Sequence, residues 1–130
     1  MDKAGEGKVA YIYIVECEDT SLYTGITKDI CKRMKTHTSA KGAAARYTKS
    51  HKIKSLRALW YCDDYKVAAK LEYAIKKRLS RQEKLCLIEN PSVLNELLLD
   101  FEEYEFQYVE GVTLEMCLEN TQKAFVQVII

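Results

Sequence analysis

Five side chains have types and spacings that suit acid, base and anion chemistry. Tyr13 and Tyr23 lie in neighbouring stretches rich in aromatic and β-branched residues. Arg33 follows ten residues after Tyr23, and His37 comes four residues later, which places a guanidinium and an imidazole on one face of a helix. Glu72 lies on the border of a later apolar stripe. Together the five offer a cation for an anionic substrate, groups that transfer protons and a carboxylate for a metal ion.

The elements that must position these residues follow from the residue pattern. Residues 9–16 and 22–26 have the composition of strands and predict a hairpin, because a turn-like stretch joins them. Asp29 predicts the N-cap of a helix over residues 30–38, and residues 56–62 predict a third strand. A 3.6-residue period predicts a helix over residues 66–79. Ser80 and Glu83 fit a capping box, so a further helix should run to residue 89, and Pro91 begins another element.

This order of elements predicts an α+β fold with a small three-stranded, mainly antiparallel sheet flanked by helices, and an additional C-terminal segment. With 130 residues, the chain has room for one compact domain and an extension. We place the domain at residues 9–89. We call residues 90–130 the C-terminal segment; it includes a helix candidate at residues 113–122.

Charge is distributed unevenly along the chain. Residues 1–90 hold 19 of the 20 Lys and Arg and 11 of the 19 Asp and Glu, a balance of +8, whereas residues 91–130 hold 1 and 8, a balance of −7. The basic part suits a polyanion and the acidic C-terminal segment repels one. We therefore expect the acidic segment to restrain nucleic-acid binding. Its apolar residues should pack on the domain or, as the alternative, form a homodimer.

A long stretch without acids predicts a nucleic-acid contact. Between Asp29 and Asp63 there is no acidic residue, whereas nine residues are Lys or Arg. A solvated basic face is the ordinary explanation of a short run, but this length favours contact with a phosphate backbone. The expected contact residues are Lys32, Lys35, Lys41, Arg46, Tyr47 and Lys49. Tyr47 is equally well explained as a packed aromatic.

Other classes of protein are disfavoured by composition. Five cysteines without a C-x-x-C pair argue against a disulfide framework and a zinc knuckle. Thiol catalysis by Cys31 has only the proximity of His37 in its favour. The longest apolar run is too short to cross a membrane, and the polar N-terminus lacks the apolar region of a signal peptide, so we expect a cytoplasmic protein that does not bind membranes.

The pattern as a whole resembles the GIY-YIG nuclease superfamily, and in particular its small stand-alone bacterial subgroup. Tyr13 matches the tyrosine of the first motif and the stretch from Tyr23 to Gly25 matches the second. The flanking sequence also resembles the subgroup, and the resemblance covers residues 9–89. Tyr11 stands where the first motif has glycine, and Thr24 where the second has isoleucine. Neither position supplies chemistry.

The resemblance implies a DNA endonuclease that depends on Mg²⁺ or Mn²⁺. It implies that Glu72 is the metal ligand, that Arg33 binds the scissile phosphate and that Tyr23 completes the hydrogen-bond network. His37 is a proton acceptor or a phosphate contact, and Tyr13 and His37 are alternative general bases. Because the domain has no evident recognition module, the candidate substrates are single-stranded, branched or damaged DNA, with RNA as the other option. The rival interpretation is a non-catalytic nucleic-acid binder that uses the same basic surface.

Overall fold

The computed structural model describes residues 9–39 and 52–119, which form a four-stranded sheet with helices on both faces. All strand pairs are antiparallel, and the strands lie in the order β2-β1-β3-β4. The strands are β1 (Ala10–Cys17), β2 (Leu22–Thr27), β3 (Ile53–Cys62) and β4 (Gln107–Tyr108). The helices are α1 (Ile30–Ser39), α2 (Tyr65–Arg78), α3 (Arg81–Glu89), α4 (Leu94–Leu97) and α5 (Leu114–Leu118), with short 3₁₀ turns at Pro91–Val93 and Leu99–Phe101.

The fold class is confirmed, but the prediction of three strands is wrong. The fourth strand is only two residues long, and it pairs with β3 through Trp60↔Tyr108 and Tyr61↔Gln107. Two residues are too few to produce an alternating pattern, so no local signal marks this strand. Its pairing depends on the tertiary contact of Tyr108 with the Trp60 ring, whose centroid is 5.6 Å away.

Strand β1 lies between β2 and β3 and divides the core in two. Successive side chains of a strand point to opposite faces. Ile12 and Ile14 therefore pack with the apolar face of α2, whereas Tyr11, Tyr13 and Val15 pack on the other side. Because α1 and α2 thus cover opposite faces, the edge strand β2 lies between them.

The helix starts follow the predicted capping residues. The backbone N–H of Lys32 donates to the Asp29 carboxylate at 3.0 Å, which caps α1. At α3, the Glu83 N–H donates to the Ser80 hydroxyl at 3.1 Å, and the Ser80 N–H donates back to the Glu83 carboxylate at 2.8 Å. This is the predicted capping box.

The described part of the C-terminal segment packs on the rest of the chain. Leu94, Leu98 and Phe101 are buried in the core beneath α2, and Leu114 and Cys117 are buried in the core that contains Tyr13. Since these apolar side chains are used within one chain, the structure gives no support to the homodimer that we considered. The helix candidate at residues 113–122 corresponds to α5; residues 120–122 lie outside the described residues.

Two further expectations concern cysteines and membranes. All five cysteines are free thiols, as their spacing predicts. No helix in the described ranges is long and apolar enough to span a bilayer.

Candidate active site

Tyr13 lies at the centre of β1, where its side chain is 1% exposed. It is paired across the sheet with Gly25 of β2. A Cβ atom at position 25 would lie 2.3 Å from the Tyr13 hydroxyl oxygen, which is far inside van der Waals contact. The glycine of the second motif is therefore required by the tyrosine of the first, because the phenol ring occupies the space that a side chain would fill.

His37 meets Tyr13 from helix α1. Its Nε2 atom is 2.8 Å from the Tyr13 hydroxyl oxygen, a buried hydrogen bond between residues 24 positions apart. Burial, and then the charge of Arg33, lower the pKa of His37 from 6.5 to about 4. The imidazole is therefore neutral at physiological pH. Its Nδ1 atom is buried and has no hydrogen-bond partner among the described residues.

Tyr23 completes an aromatic triad around this bond. Its ring centroid is 5.4 Å from that of His37 and 6.3 Å from that of Tyr13, distances typical of aromatic pairs. Tyr23 is opposite Val15, two residues beyond Tyr13, so the pleat directs both tyrosines to the α1 side of the sheet. Tyr23 is half-buried and forms the more open side of the triad.

Arg33 and Glu72 act on Tyr13 through their charges. Burial is the main cause that raises the pKa of Tyr13 well above 10, and the neighbouring Tyr23 raises it further. The positive charge of Arg33 opposes this shift, whereas the negative charge of Glu72 adds to it. All five predicted catalytic residues therefore lie in one electrostatic environment, although they come from two strands and two helices.

Lys76 also belongs to this environment, although it is not among the site residues predicted from the sequence. Its Nζ donates to the Glu72 carboxylate at 3.0 Å and lies 5.7 Å from the Tyr23 ring centroid. The Glu72 side chain is only 17% exposed, compared with 40% for Lys76. The signal in the sequence was a lysine four residues after Glu72, but that spacing is common on helix surfaces and does not by itself indicate a site.

Glu72 is the side chain that the family resemblance assigns to a metal ion, and its chemistry limits which ion would fit. Among the described residues, no group of three His, Cys, Asp or Glu side chains is arranged to hold a metal. One carboxylate does not suit zinc, which takes three or four protein ligands. It does suit Mg²⁺ or Mn²⁺, which keeps several waters and takes further oxygens from a bound phosphate. Glu72 would be the protein ligand of such an ion.

The predicted nucleic-acid contacts are only partly within the described residues. Lys32 is exposed and Lys35 is half-buried, and both lie on α1 with Arg33 and His37. The remaining four lie outside the described residues: Lys41, Arg46, Tyr47 and Lys49.

Comparisons with known proteins show which family this chain resembles. Residues 9–85 match the model of the GIY-YIG catalytic domain, a span that contains all five predicted catalytic residues. The chain is 39% identical over 87 residues to a UPF0213 protein of Fusobacterium nucleatum, and the match covers 67% of this chain and 85% of that protein. It is 42% identical over 81 residues to a UPF0213 protein of Streptococcus pyogenes, covering 62% of this chain and 86% of that protein.

Among solved structures, the solution NMR structure of a UPF0213 protein from Bacillus halodurans is 37% identical. The match covers 67% of this chain and 93% of that one, with a TM-score of 0.41. The match to the catalytic-domain model spans more than half of the chain, and the curated relatives are covered over most of their length. This chain belongs to the GIY-YIG family, and within it to the small stand-alone UPF0213 proteins.

Proposed function

We propose that this chain is a divalent-metal-dependent endonuclease that hydrolyses phosphodiester bonds in DNA. Membership of the GIY-YIG family supports nuclease activity in general. The observation that carries the proposal is the buried hydrogen bond between Tyr13 and His37, with Arg33 and Glu72 in electrostatic reach of it. A protein that only binds nucleic acid has no need of a buried proton-transfer pair beside a guanidinium and a carboxylate.

The proton relay is assigned to Tyr13 and His37. At neutral pH the phenol keeps its proton, because its pKa is raised, and the imidazole is neutral, because its pKa is lowered. In the proposal the Tyr13 hydroxyl donates to Nε2 of His37, and the phenol oxygen takes a proton from the attacking water as its own proton passes to Nε2. In the proposal Tyr13 is therefore the general base and His37 is its proton acceptor.

Arg33 and Glu72 are assigned to the charge that develops on the phosphoryl group. The Arg33 guanidinium offers a planar fork to the phosphate oxygens, and loss of such a stabilising group typically costs about 3 to 4 kcal/mol of barrier. Glu72 would hold Mg²⁺ or Mn²⁺, which when bound supplies Lewis-acid stabilisation of the phosphate and the leaving oxygen. Tyr23 packs against both rings of the relay.

Cleavage assays on defined substrates test the proposal. Purified full-length protein is incubated with end-labelled single-stranded, duplex and forked DNA and with single-stranded RNA, in Mg²⁺, Mn²⁺ or EDTA. We expect metal-dependent internal cuts in at least one DNA substrate and none in EDTA. Binding without cleavage in either metal would instead support the non-catalytic binder, and cleavage of RNA alone would overturn the assignment of DNA.

A further inference from the structure

Three cations converge where α2 meets α3, at the border of the candidate site. Lys76 lies in the last turn of α2, Arg81 is the first residue of α3 and Lys84 follows three residues later. Residues three apart are neighbours on a helix surface, so Arg81 and Lys84 share one face of α3. We call Lys76, Arg81 and Lys84 the junction cluster.

The charges of the junction cluster act on one another. Burial lowers the pKa of Lys84, and the positive charges of Arg81 and Lys76 lower it further. Within residues 52–119, no acid forms an ion pair with Arg81 or Lys84.

The nearby acids are engaged elsewhere. Glu83 accepts from the Ser80 N–H in the capping box. Asp100 binds the Arg78 guanidinium through two bonds of 2.9 and 3.0 Å. Glu72 pairs with Lys76, so the positive charges of the junction cluster that no described acid pairs with are those of Arg81 and Lys84.

The stability of the fold does not explain this arrangement. The N-terminus of a helix carries a partial positive charge, so Arg81 in the first turn of α3 is unfavourable there. Like charges three residues apart also repel each other, which applies to Arg81 and Lys84. An anion bound from outside the chain would remove both penalties.

The junction cluster is connected to the candidate site through Lys76, which contacts Glu72 and lies over the Tyr23 ring. Arg33 approaches the site from α1, on the opposite face of the sheet from α2. A nucleic-acid strand with its scissile phosphate at Arg33 would thus pass the edge strand β2 toward the junction cluster.

We propose that Lys76, Arg81 and Lys84 bind backbone phosphates of the substrate strand on the α2 side of the hydrolysed bond. This inference depends on the proposed function for the nature of the polyanion. The proposed surface on α2 and α3 would bind nucleic acid in addition to the basic stretch predicted between Asp29 and Asp63.

The test compares two double variants of the full-length protein with equal changes in charge. Arg81→Gln/Lys84→Gln removes two cations of the junction cluster. The matched control, Lys66→Gln/Lys70→Gln, removes two exposed cations of the same region of the chain, of which Lys70 lies over the Tyr104 ring. Binding of a fluorescein-labelled single-stranded oligonucleotide is measured by anisotropy in EDTA, so that no strand is cut, from about 50 mM to about 200 mM salt.

We expect the junction variant to bind about tenfold more weakly at about 50 mM salt and to lose about 1.4 from the slope of log K against log salt, since each single-strand phosphate contact contributes about 0.7. The control should keep the wild-type slope. Equal behaviour of the two variants, or no binding by wild type, would overturn the inference. If the melting temperature of the double variant falls, the single variant Arg81→Gln replaces it, because Arg81 is exposed. Arg81→Gln should reduce the slope by about half as much as the double variant.

Cleavage is scored separately from binding, so that the two proposals can fail independently. If the junction variant binds more weakly than wild type but the wild-type protein cuts no substrate, the junction surface stands and the endonuclease activity is refuted. If the wild-type protein cuts DNA but the junction variant binds as tightly as wild type, the endonuclease activity stands and the junction surface is refuted.

Discussion

Gly25→Ala should strongly slow cleavage, although residue 25 lies on the neighbouring strand and none of the five predicted catalytic residues is substituted. The added Cβ would lie 2.3 Å from the Tyr13 hydroxyl oxygen, whereas ordinary contact begins at 3.4 Å, so the hydroxyl must retreat by about 1.1 Å. Its bond to His37 is 2.8 Å long and buried, which leaves little room for such a shift. A displacement of about 1 Å in a catalytic group costs on the order of 100-fold in rate, or about 2.7 kcal/mol of barrier.

The same crowding should lower the free energy of unfolding by about 1 to 3 kcal/mol, as overpacking of a core typically does. Single-turnover cleavage and urea unfolding measure the two effects. Ile26→Val is the matched control on the same strand, because it costs about 1 kcal/mol of stability and leaves the Tyr13 side of the sheet unchanged.

A double-mutant cycle tests whether Gly25→Ala acts through Tyr13. If it does, Gly25→Ala combined with Tyr13→Phe should be no slower than Tyr13→Phe alone. Losses that add in full, or a Gly25→Ala protein that cuts at the wild-type rate, would refute the reasoning.

Three other predictions follow from the structure. The pKa of His37 is about 4 in the folded chain and 6.5 ordinarily, so the unfolded chain takes up the proton first and the free energy of unfolding decreases as pH falls from 6.5 to about 4. His37→Gln should lack this decrease when urea unfolding is measured across that pH range. An equal decrease in both proteins would contradict the prediction. Arg33→Lys should cut about 100-fold more slowly than wild type, because an ammonium lacks the planar fork. Equal rates for Arg33→Lys and wild type would refute the contact between Arg33 and the phosphate. Leu98→Ala should lower the free energy of unfolding by about 2 to 5 kcal/mol, since its side chain is 1% exposed; a loss below about 1 kcal/mol would show that the C-terminal segment contributes little to the core.

The burial of Leu98 also bears on the expected role of the acidic segment. Because Leu94, Leu98 and Phe101 are part of a core, truncation after residue 90 would expose apolar surface and could not test charge alone. The restraint on nucleic-acid binding stays a prediction. Glu102→Gln/Glu103→Gln tests it without disturbing packing, because both residues are exposed; tighter binding at low salt is expected, and unchanged binding would count against the restraint.

Local signals predicted most of the fold. The caps at Asp29 and Ser80 were readable because they depend on side chains within three residues of the backbone groups that they bind. Strand β4 was not readable, because its two residues pair only through contact with Trp60. The first three residues of β3 were also missed, since pairing with the end of β1, and not an apolar pattern, holds Ser55 in the strand.

The candidate site was predictable in its members but not in its contacts. The order and spacing of Tyr13, Tyr23, Arg33, His37 and Glu72 identified the set. No sequence pattern shows that a tyrosine ring fills the space over Gly25, or that His37 is buried, because both depend on how strands and helices pack. Lys76 was missed for the same reason.

The most direct test of the central claim is metal-dependent cleavage by a Glu72→Gln variant. The amide keeps the size of the side chain but removes the charge that would bind Mg²⁺ or Mn²⁺. Glu89→Gln, at an exposed position of α3, is the matched control. We predict that Glu72→Gln loses metal binding, measured by Mn²⁺ electron paramagnetic resonance, and slows single-turnover cleavage by at least about 100-fold while still binding DNA. Cleavage by Glu72→Gln at the rate of wild type and Glu89→Gln would contradict the account.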